Sequence, residues 1–157
     1  MKINAGISIS LNGTTKYKLT DHNRAEIDIT NSLIEHSSRM ANGKLKKYVI
    51  SSKRVFSTSW QNLPSISTYT ADQNYSSAWL EAFYNSNVFV PIYVTITKAG
   101  DANPTVGTAP SDATYGGSFN NPNIEQVQCF ITKFNIKIRK RTKIYDYVDM
   151  DIEFTEI

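Results

Sequence analysis

The sequence predicts a mostly β protein with one α-helix, built as an antiparallel β-sandwich or a rolled sheet. Two observations near the C-terminus predict this class: a strand in which apolar and acidic residues alternate without a fault, and a preceding strand that mirrors it with basic residues. The third is that only one segment shows helical periodicity. The chain has 157 residues, enough to bury a core without cross-links, so residues 1–157 are expected to form a single domain.

The final strand sorts two kinds of side chain onto opposite faces, because successive side chains of a strand alternate in direction. One face carries Asp149, Asp151 and Glu153. The other face carries Val148, Met150, Ile152 and Phe154. The apolar set is predicted to lie in the core.

The preceding strand and its turn are basic where the final strand is acidic. The basic residues are Lys133, Lys137, Arg139, Arg141 and Lys143. A turn centred on Thr142, with pairs of equal parity, places Ile136 opposite Val148, Phe134 opposite Met150 and Lys133 opposite Asp151. Each cross-strand charge pair is expected to contribute about 0.2 to 1 kcal/mol, less where it is exposed.

The rest of the chain predicts further strands. They cover residues 3–11, 16–19, 25–30, 37–41, 45–50, 55–60 and 88–97. Asn12-Gly13 and Asn42-Gly43 predict hairpin turns, because both residue types accept a positive φ. Trp60 ends an alternating strand and is assigned to the core or to a seam. Phe89 and Tyr93 suggest that residues 88–97 are covered on both faces.

The only predicted helix covers residues 76–84. Tyr75, Trp79, Ala82 and Phe83 fall at i, i+4, i+7 and i+8 and form a helical stripe. Ser76 and Ser77 offer capping hydroxyls. With Trp79 and Phe83 as the buried stripe, Trp79→Ala is expected to cost about 3 to 5 kcal/mol.

The sequence offers little support for catalysis, and no cofactor or metal is predicted. The nucleotide, phosphate and metalloprotease motifs do not occur, and His22 and His36 are too isolated to form a zinc site with Cys129. Cys129 is interpreted as a small buried hydrophobe. The acidic row of the last strand is interpreted as a solvated or salt-bridged face, with carboxylates about 7 Å apart.

Charge and hydropathy disfavour two other classes of partner. A net charge of +3 does not by itself argue for nucleic-acid binding. No run reaches the roughly 18 apolar residues of a membrane span, and the first residues lack a secretory leader, so membrane insertion is not expected. The basic clusters at residues 44–47, 53–54 and 140–143 are interpreted as solvated loops that protect strand edges. The alternatives are contact with a nucleic-acid backbone and docking onto acidic faces of a next subunit.

The middle of the chain resembles a segment of small structural proteins from tailed bacteriophages. The similar residues are 39–50, with Arg-Met-Ala-Asn-Gly-Lys at their start, and 53–60, which end in Ser-Thr-Ser-Trp. The stretch Asp-His-Asn-Arg at 21–24, a short helix at 79–84 and the closing hairpin extend the resemblance to most of the chain except residues 98–123. The resemblance implies a fold of the tail-tube type.

The resemblance also implies a role in the virion. It suggests a tail protein, made in the host cytoplasm, that forms hexameric rings with copies of itself and contacts other tail or baseplate proteins. DNA would pass through the lumen without specific binding. Whether such a ring belongs to the tube, its initiator or a distal ring stays open. The interface candidates are Tyr115, Phe119, Lys133, Lys137, Arg139, Arg141, Lys143, Asp149, Asp151 and Glu153. The core candidates are Trp60, Trp79, Phe83, Ile136, Val148, Met150 and Ile152.

A binding module is the alternative function. In that case a soluble β-sandwich of a phage tail would bind a carbohydrate or a receptor. Trp60, Tyr69, Tyr75 and Tyr115 would then lie on loops as exposed aromatic platforms.

Residues 98–123 lose all periodicity and predict a long loop or arm. Two interpretations are open: an insertion without a role in assembly, or an arm that reaches a neighbouring subunit through Tyr115 and Phe119.

We expect that replacing residues 102–121 with a short Gly-Ser linker leaves the monomer folded but impairs assembly. The segment has too few apolar residues to offset an ordering entropy of about 1 to 2 kcal/mol per residue within one subunit. Circular dichroism and electron microscopy of the variant check this. Normal assembly would show that the interface lies on the strands.

Overall fold

A computed structural model of the chain describes residues 6–101 and 122–157. The strands are β1 Gly6–Ser10, β2 Tyr17–Lys18, β3 Asp28–Arg39, β4 Leu45–Pro64, β5 Ile92–Asp101, β6 Pro122–Arg141 and β7 Asp146–Glu156. The α-helix, α1, covers Ser77–Ser86, and a single 3₁₀ turn covers Ser67–Tyr69. Among the described residues, 61% lie in strands and a single α-helix is present, so the predicted fold class is confirmed.

The seven strands form one antiparallel sheet in the order β2-β1-β5-β6-β7-β4-β3, and this sheet is not closed into a barrel. Its two edge strands, β2 and β3, are consecutive in the chain. The connection between them, residues 19–27, therefore runs from one edge of the sheet to the other. We call the side that carries the buried residues the core face, and the opposite side the outer face.

The connection is hydrogen-bonded to both ends of the sheet. Leu19 donates its amide to the carbonyl of Ile7 on β1 at 2.9 Å. Ala25 donates to the carbonyl of Ser59 on β4 at 2.8 Å. A short segment can contact β1 and β4 together only if the sheet curves, so the sheet is rolled around its core face.

The core fills the inside of this roll. Alternate residues of β7 lie in it, and they are Val148, Met150, Ile152 and Phe154, all buried. Trp60 of β4 is 1% exposed and donates its indole Nε1–H to the carbonyl of Thr20 at 2.8 Å. That bond satisfies the one polar atom of the side chain, so the ring is buried without an unpaired donor.

The two predicted hairpin turns are present. Gly13 and Gly43 have φ values of 79° and 83°, a backbone region that favours glycine. In the first turn, the side-chain oxygen of Asn12 accepts the amides of Thr14 and Thr15 at 2.9 and 2.8 Å. In the second, the amide of Gly43 donates to the carbonyl of Met40 at 2.9 Å.

Several predicted strand boundaries are wrong. The segments at 45–50 and 55–60 belong to one strand, β4, and residues 28–30 and 37–39 belong to one strand, β3. A ladder between β3 and β4 satisfies the backbone of the polar stretches, which therefore stay extended without an apolar pattern.

The strand predicted for residues 88–97 begins only at Ile92, after Pro91, which has no amide to donate. Phe89 covers no face of the sheet, because it is 92% exposed. The predicted loop at 98–123 is also too long, since residues 98–101 continue β5 and residues 122 and 123 begin β6. Its remainder lies outside the described residues.

The predicted register of the last hairpin is wrong by two residues. Ile136 lies opposite Met150, Phe134 opposite Ile152, and Lys133 opposite Glu153. Between residues 133 and 138, odd-numbered residues pair with odd ones and even with even, as expected. Near both ends of the hairpin, odd-numbered residues pair with even-numbered ones. Register shifts at 131–133 and 138–140 cause this, because an extra residue in one strand changes the partner of every residue beyond it.

The helix buries a different stripe from the predicted one. Leu80 and Phe83 are buried with Ser77, whereas Ala82 is exposed. Trp79 is only partly buried and packs against the rings of Tyr75 and Phe83, with centroids 4.4 and 5.1 Å apart. The buried stripe runs at spacings of three residues, and its Leu80 side faces the core. The Ser76 hydroxyl donates to the carbonyl of Pro64 instead of capping the helix.

Asp72 holds the loop before the helix against the 19–27 connection. Its carboxylate accepts the Thr20 hydroxyl at 2.7 Å, the Asp21 amide at 2.8 Å, and the side-chain nitrogen of Asn74 at 3.0 Å. Partial burial alone would raise the pKa of Asp72, but these hydrogen bonds hold it well below the usual range for aspartate. Next to it, His22 Nδ1 accepts the amide of Ala71 at 2.9 Å.

We expect the two tryptophans to differ in their effect on stability. Trp60→Ala should lower the free energy of unfolding by about 3 to 5 kcal/mol, because it removes a fully buried ring. Trp79→Ala should cost less, about 1 to 3 kcal/mol, because its ring is partly solvated. Denaturant unfolding followed by circular dichroism measures both. Equal costs would contradict the difference in burial.

We expect Asp72→Asn to destabilise the protein at neutral pH by about 1 to 3 kcal/mol. Because the folded pKa of Asp72 lies below the unfolded value of about 3.9, its contribution is complete above that value and is lost as the pH falls through the folded pKa. The gap between wild type and variant should therefore close in acid. Glu81→Gln is the matched control, since Glu81 is exposed and its side chain forms no hydrogen bond or ion pair among the described residues. A gap that persists unchanged at low pH would contradict this role of Asp72.

Candidate assembly surface

The most unusual feature of the molecule is a two-stranded arm that extends beyond the sheet. β4 pairs with β7 only from Val55, opposite Thr155, to Pro64. Before Val55, β4 pairs with β3 alone, through to Leu45 opposite Arg39. We call residues 31–54 the arm. Ten residues of β4 extend past the neighbouring strand, which corresponds to about 30 Å.

The arm has no core of its own. Every residue of β3 is exposed, and so are residues 45–50 of β4. An isolated two-stranded hairpin is at best marginally stable in water. The arm therefore depends on its attachment to the sheet or on a surface that covers it.

Both faces of the arm carry exposed apolar side chains. Opposite Ile34 lies Ser51 and opposite Glu35 lies Val49, so Ile50 between them has no opposite residue and forms a bulge. The apolar residues of the arm are Leu33, Ile34, Met40, Leu45, Tyr48, Val49 and Ile50, each between 46% and 74% exposed. Pleating places Leu33 and Val49 on one face and Ile34 and Tyr48 on the other.

The arm is also strongly basic. It contains Arg39, Lys44, Lys46, Lys47, Lys53 and Arg54 against one acidic residue, Glu35. Lys47 pairs with Glu35 at 2.6 Å. Lys46 lies over the ring of Tyr48, 5.3 Å from its centroid. Neither Lys44 nor Lys46 has a carboxylate partner among the residues that the structure describes.

The base of the arm is anchored to the sheet by Arg54. Its amide and its Nε donate to Glu156 of β7 at 2.8 and 3.3 Å, and its guanidinium also pairs with Glu125 of β6. Burial opposes ionisation of Glu156, but the hydrogen bonds and charge of Arg54 lower its pKa overall. The ammonium of Lys53 donates to the carbonyl of Ile157. These bonds fix the direction in which the arm leaves the sheet.

The outer edge of the arm is unprotected. Within residues 6–101 and 122–157, no strand pairs with the far side of β3. β3 contains neither proline nor lysine, two residues that commonly block such edges. Its unpaired amides and carbonyls can therefore accept a strand from another chain.

The outer face of the sheet carries a complementary acidic surface. Asp28, Ser57, Glu153 and Lys133 lie in one row across β3, β4, β7 and β6, and Ser59, Asp151 and Asn135 lie in the next. With Glu26, all of these residues except Asn135 line a groove of about 300 Å³, which we call the acidic groove. The side chains of Glu26, Asp28 and Asp151 form no ion pair or hydrogen bond in the described part of the chain.

Several predicted interface residues of the last hairpin already have partners within the molecule. Arg139 pairs with Asp149, whose pKa is lowered chiefly by that bond, and Arg141 lies 3.7 Å from Asp146. Lys137 is opposite Asp149. Glu153 accepts the hydroxyl of Thr132 at 3.0 Å. Lys133 lines the acidic groove and Lys143 lies exposed on the turn.

The predicted core residues are mostly internal. Trp60, Phe83, Val148, Met150 and Ile152 are buried, and Trp79 and Ile136 are partly buried against the core. Tyr115 and Phe119, the two aromatic interface candidates, lie outside the described residues. Of the aromatic platforms expected for a binding module, Trp60 is unavailable because it is buried. Tyr75 packs on Trp79, and Tyr69 stacks on Tyr145 with centroids 4.6 Å apart.

Sequence reasoning missed the arm as a separate feature. The hairpin at Asn42-Gly43 was predicted, but its separation from the core was not. A usable signal was present: the adjacent pairs Leu33-Ile34 and Val49-Ile50 place apolar residues on both faces of otherwise polar strands. Such pairs are unfavourable on a strand with one solvated face, so they indicate coverage from outside.

The structure gives few starting points for chemistry. Among the described residues no three metal-binding side chains come together. Burial, with the charge of Glu156, raises the pKa of the Cys129 thiol to about 12, so it stays protonated at neutral pH. The described part of the chain contains no helix with the length and apolar character to cross a membrane. In comparisons with known proteins, no family model and no curated protein matches this chain.

Proposed function

We propose that this protein is a structural component of a phage virion that assembles into hexameric rings, which form or cap the tail tube or belong to the baseplate. The observation that carries the proposal is the arm, a ribbon some 30 Å long with apolar side chains on both faces and an unpaired edge. The resemblance of residues 39–60 to tail proteins supports the same role, since these residues form most of the arm.

The exposed apolar surface of the arm favours assembly over a free monomer. Each fully covered isoleucine or leucine side chain contributes about 1.5 to 3 kcal/mol, and the arm exposes several within one hairpin. Contiguous apolar surface of this kind marks a protein interface in soluble proteins. A single exposed apolar residue such as Phe89 does not by itself indicate an interface.

The position of the arm favours a head-to-tail contact. It leaves the sheet at one end and carries unpaired lysines at its tip, whereas the unpaired carboxylates lie in the acidic groove of the body, so the charges of the tip match a different surface of the next copy and repel a second tip. A contact between two different surfaces repeats from copy to copy and closes into a ring when the rotation fits. The partners are thus further copies of the chain, with other tail proteins at the ends of the assembly.

A binding module is the second candidate. Tyr69 is 44% exposed and stacks on Tyr145, which in turn contacts Tyr147 at 5.3 Å between centroids. A partly exposed aromatic pair can stack on a sugar ring. A binding module gives the arm no role, and we therefore rank this function second.

We expect the purified protein to form rings or tubes in negative-stain electron microscopy, and Ile34→Ser with Ile50→Ser to weaken them. Removing two exposed isoleucines should raise the concentration for half-assembly about tenfold or more, while leaving the monomer folded. Light scattering with size-exclusion chromatography measures this.

Leu11→Ser with Phe89→Ser is the matched control, because it removes two exposed apolar residues elsewhere. It should assemble as the wild type does. Rings that tolerate the arm variant would place the contact outside the arm. A monomer that binds glycans would favour the binding module.

A further inference from the structure

The molecule carries two unpaired sets of opposite charge on separate surfaces. At the tip of the arm are Lys44 and Lys46, neither within ion-pair distance of a described carboxylate. In the acidic groove are Glu26, Asp28 and Asp151, likewise without a described cation partner. Lys133 also lines the groove and lies opposite Glu153, so it offsets part of the acidic charge.

One molecule cannot bring these two sets together. Asp28 lies at the start of β3, opposite Ser57, whereas the arm ends where Arg39 pairs with Leu45. The eleven steps along this strand span about 35 Å. Arg54 also fixes the base of the arm to Glu156, so the arm does not fold back. The complement of the tip must belong to another molecule.

We infer that the tip of the arm docks in the acidic groove of a neighbouring copy, with Lys44 and Lys46 against Asp28, Asp151 and Glu26. This inference rests on the proposed self-assembly and names the surface that receives the arm. Ser57 and Ser59 form the floor of the groove, and their small side chains leave the space that a lysine side chain needs.

The two kinds of contact have different roles. Exposed ion pairs are individually weak and are screened by salt, but they steer association and fix register. Met40 and Leu45 flank the tip lysines and are 51% and 59% exposed, so they supply apolar area beside the charges. Each copy has one tip and one groove, and a closed ring satisfies all of them.

A charge-swap experiment tests the inference. Lys44→Glu with Lys46→Glu should raise the concentration for half-assembly about tenfold or more at about 50 mM salt, and so should Asp28→Lys with Asp151→Lys. All four substitutions in one chain should restore assembly to within about threefold of wild type, because the pairs re-form with reversed sign. An equimolar mixture of the two doubly substituted chains should also assemble, since an even-numbered ring can alternate them.

Lys16→Glu with Lys140→Glu is the matched control, with the same change of charge at two exposed lysines outside the arm and the acidic groove. It should leave assembly unchanged, and circular dichroism should show all variants folded. If wild-type rings form but the swaps neither weaken nor restore them, the docking site is wrong while the proposed function stands. A wild-type chain that stays monomeric at every concentration overturns both.

Discussion

The structure depends on the connection between the two edge strands, residues 19–27. A seven-stranded sheet with one short helix must cover most of its core face with itself. The connection achieves this by bonding to β1 through Leu19 and to β4 through Ala25, with the indole of Trp60 held on the carbonyl of Thr20. The carboxylate of Asp72 then fixes the same connection from outside. Because curvature is set here, the strands next to the connection cannot slide without exposing the core.

The arm follows from this arrangement through a difference in strand length. β3 runs out from the rolled end and β4 runs back to it, whereas β7 ends at Glu156 and pairs with β4 only from Val55 onward. The remaining part of β4 has one partner strand and two solvated faces. Arg54 lies at the base of the arm. It bonds to Glu156, the last residue of β7, and it is the last residue of β4 before the pairing with β7 begins. The sheet thus presents a long two-stranded extension.

The sequence predicted those elements whose pattern depends on a single neighbouring surface. The alternation of β7 identifies its core residues because one face meets the core along its whole length. The register with β6 could not be predicted, because bulges near residues 132 and 139 shift the pairing without leaving a sign in the hydrophobic pattern. In the helix, the predicted stripe contains Trp79 where the structure buries Leu80. Both residues are apolar, and only the position of the sheet decides which of them is buried. The arm extends beyond the sheet because β7 ends before it. The sequence of residues 31–54 contains no information on where β7 ends.

The arm also combines features that usually oppose one another. An unpaired edge with apolar faces invites indefinite strand addition, and proteins commonly prevent it with charge and irregularity. Here the irregularity is the bulge at Ile50, which interrupts the ladder halfway along the arm, and the charge is concentrated at the tip. A continuous flat edge would accept any strand in any register. In the proposed assembly, a bulged edge with lysines at one end would accept a partner only where shape and carboxylates match, and that restriction limits the registers in which two copies can pair.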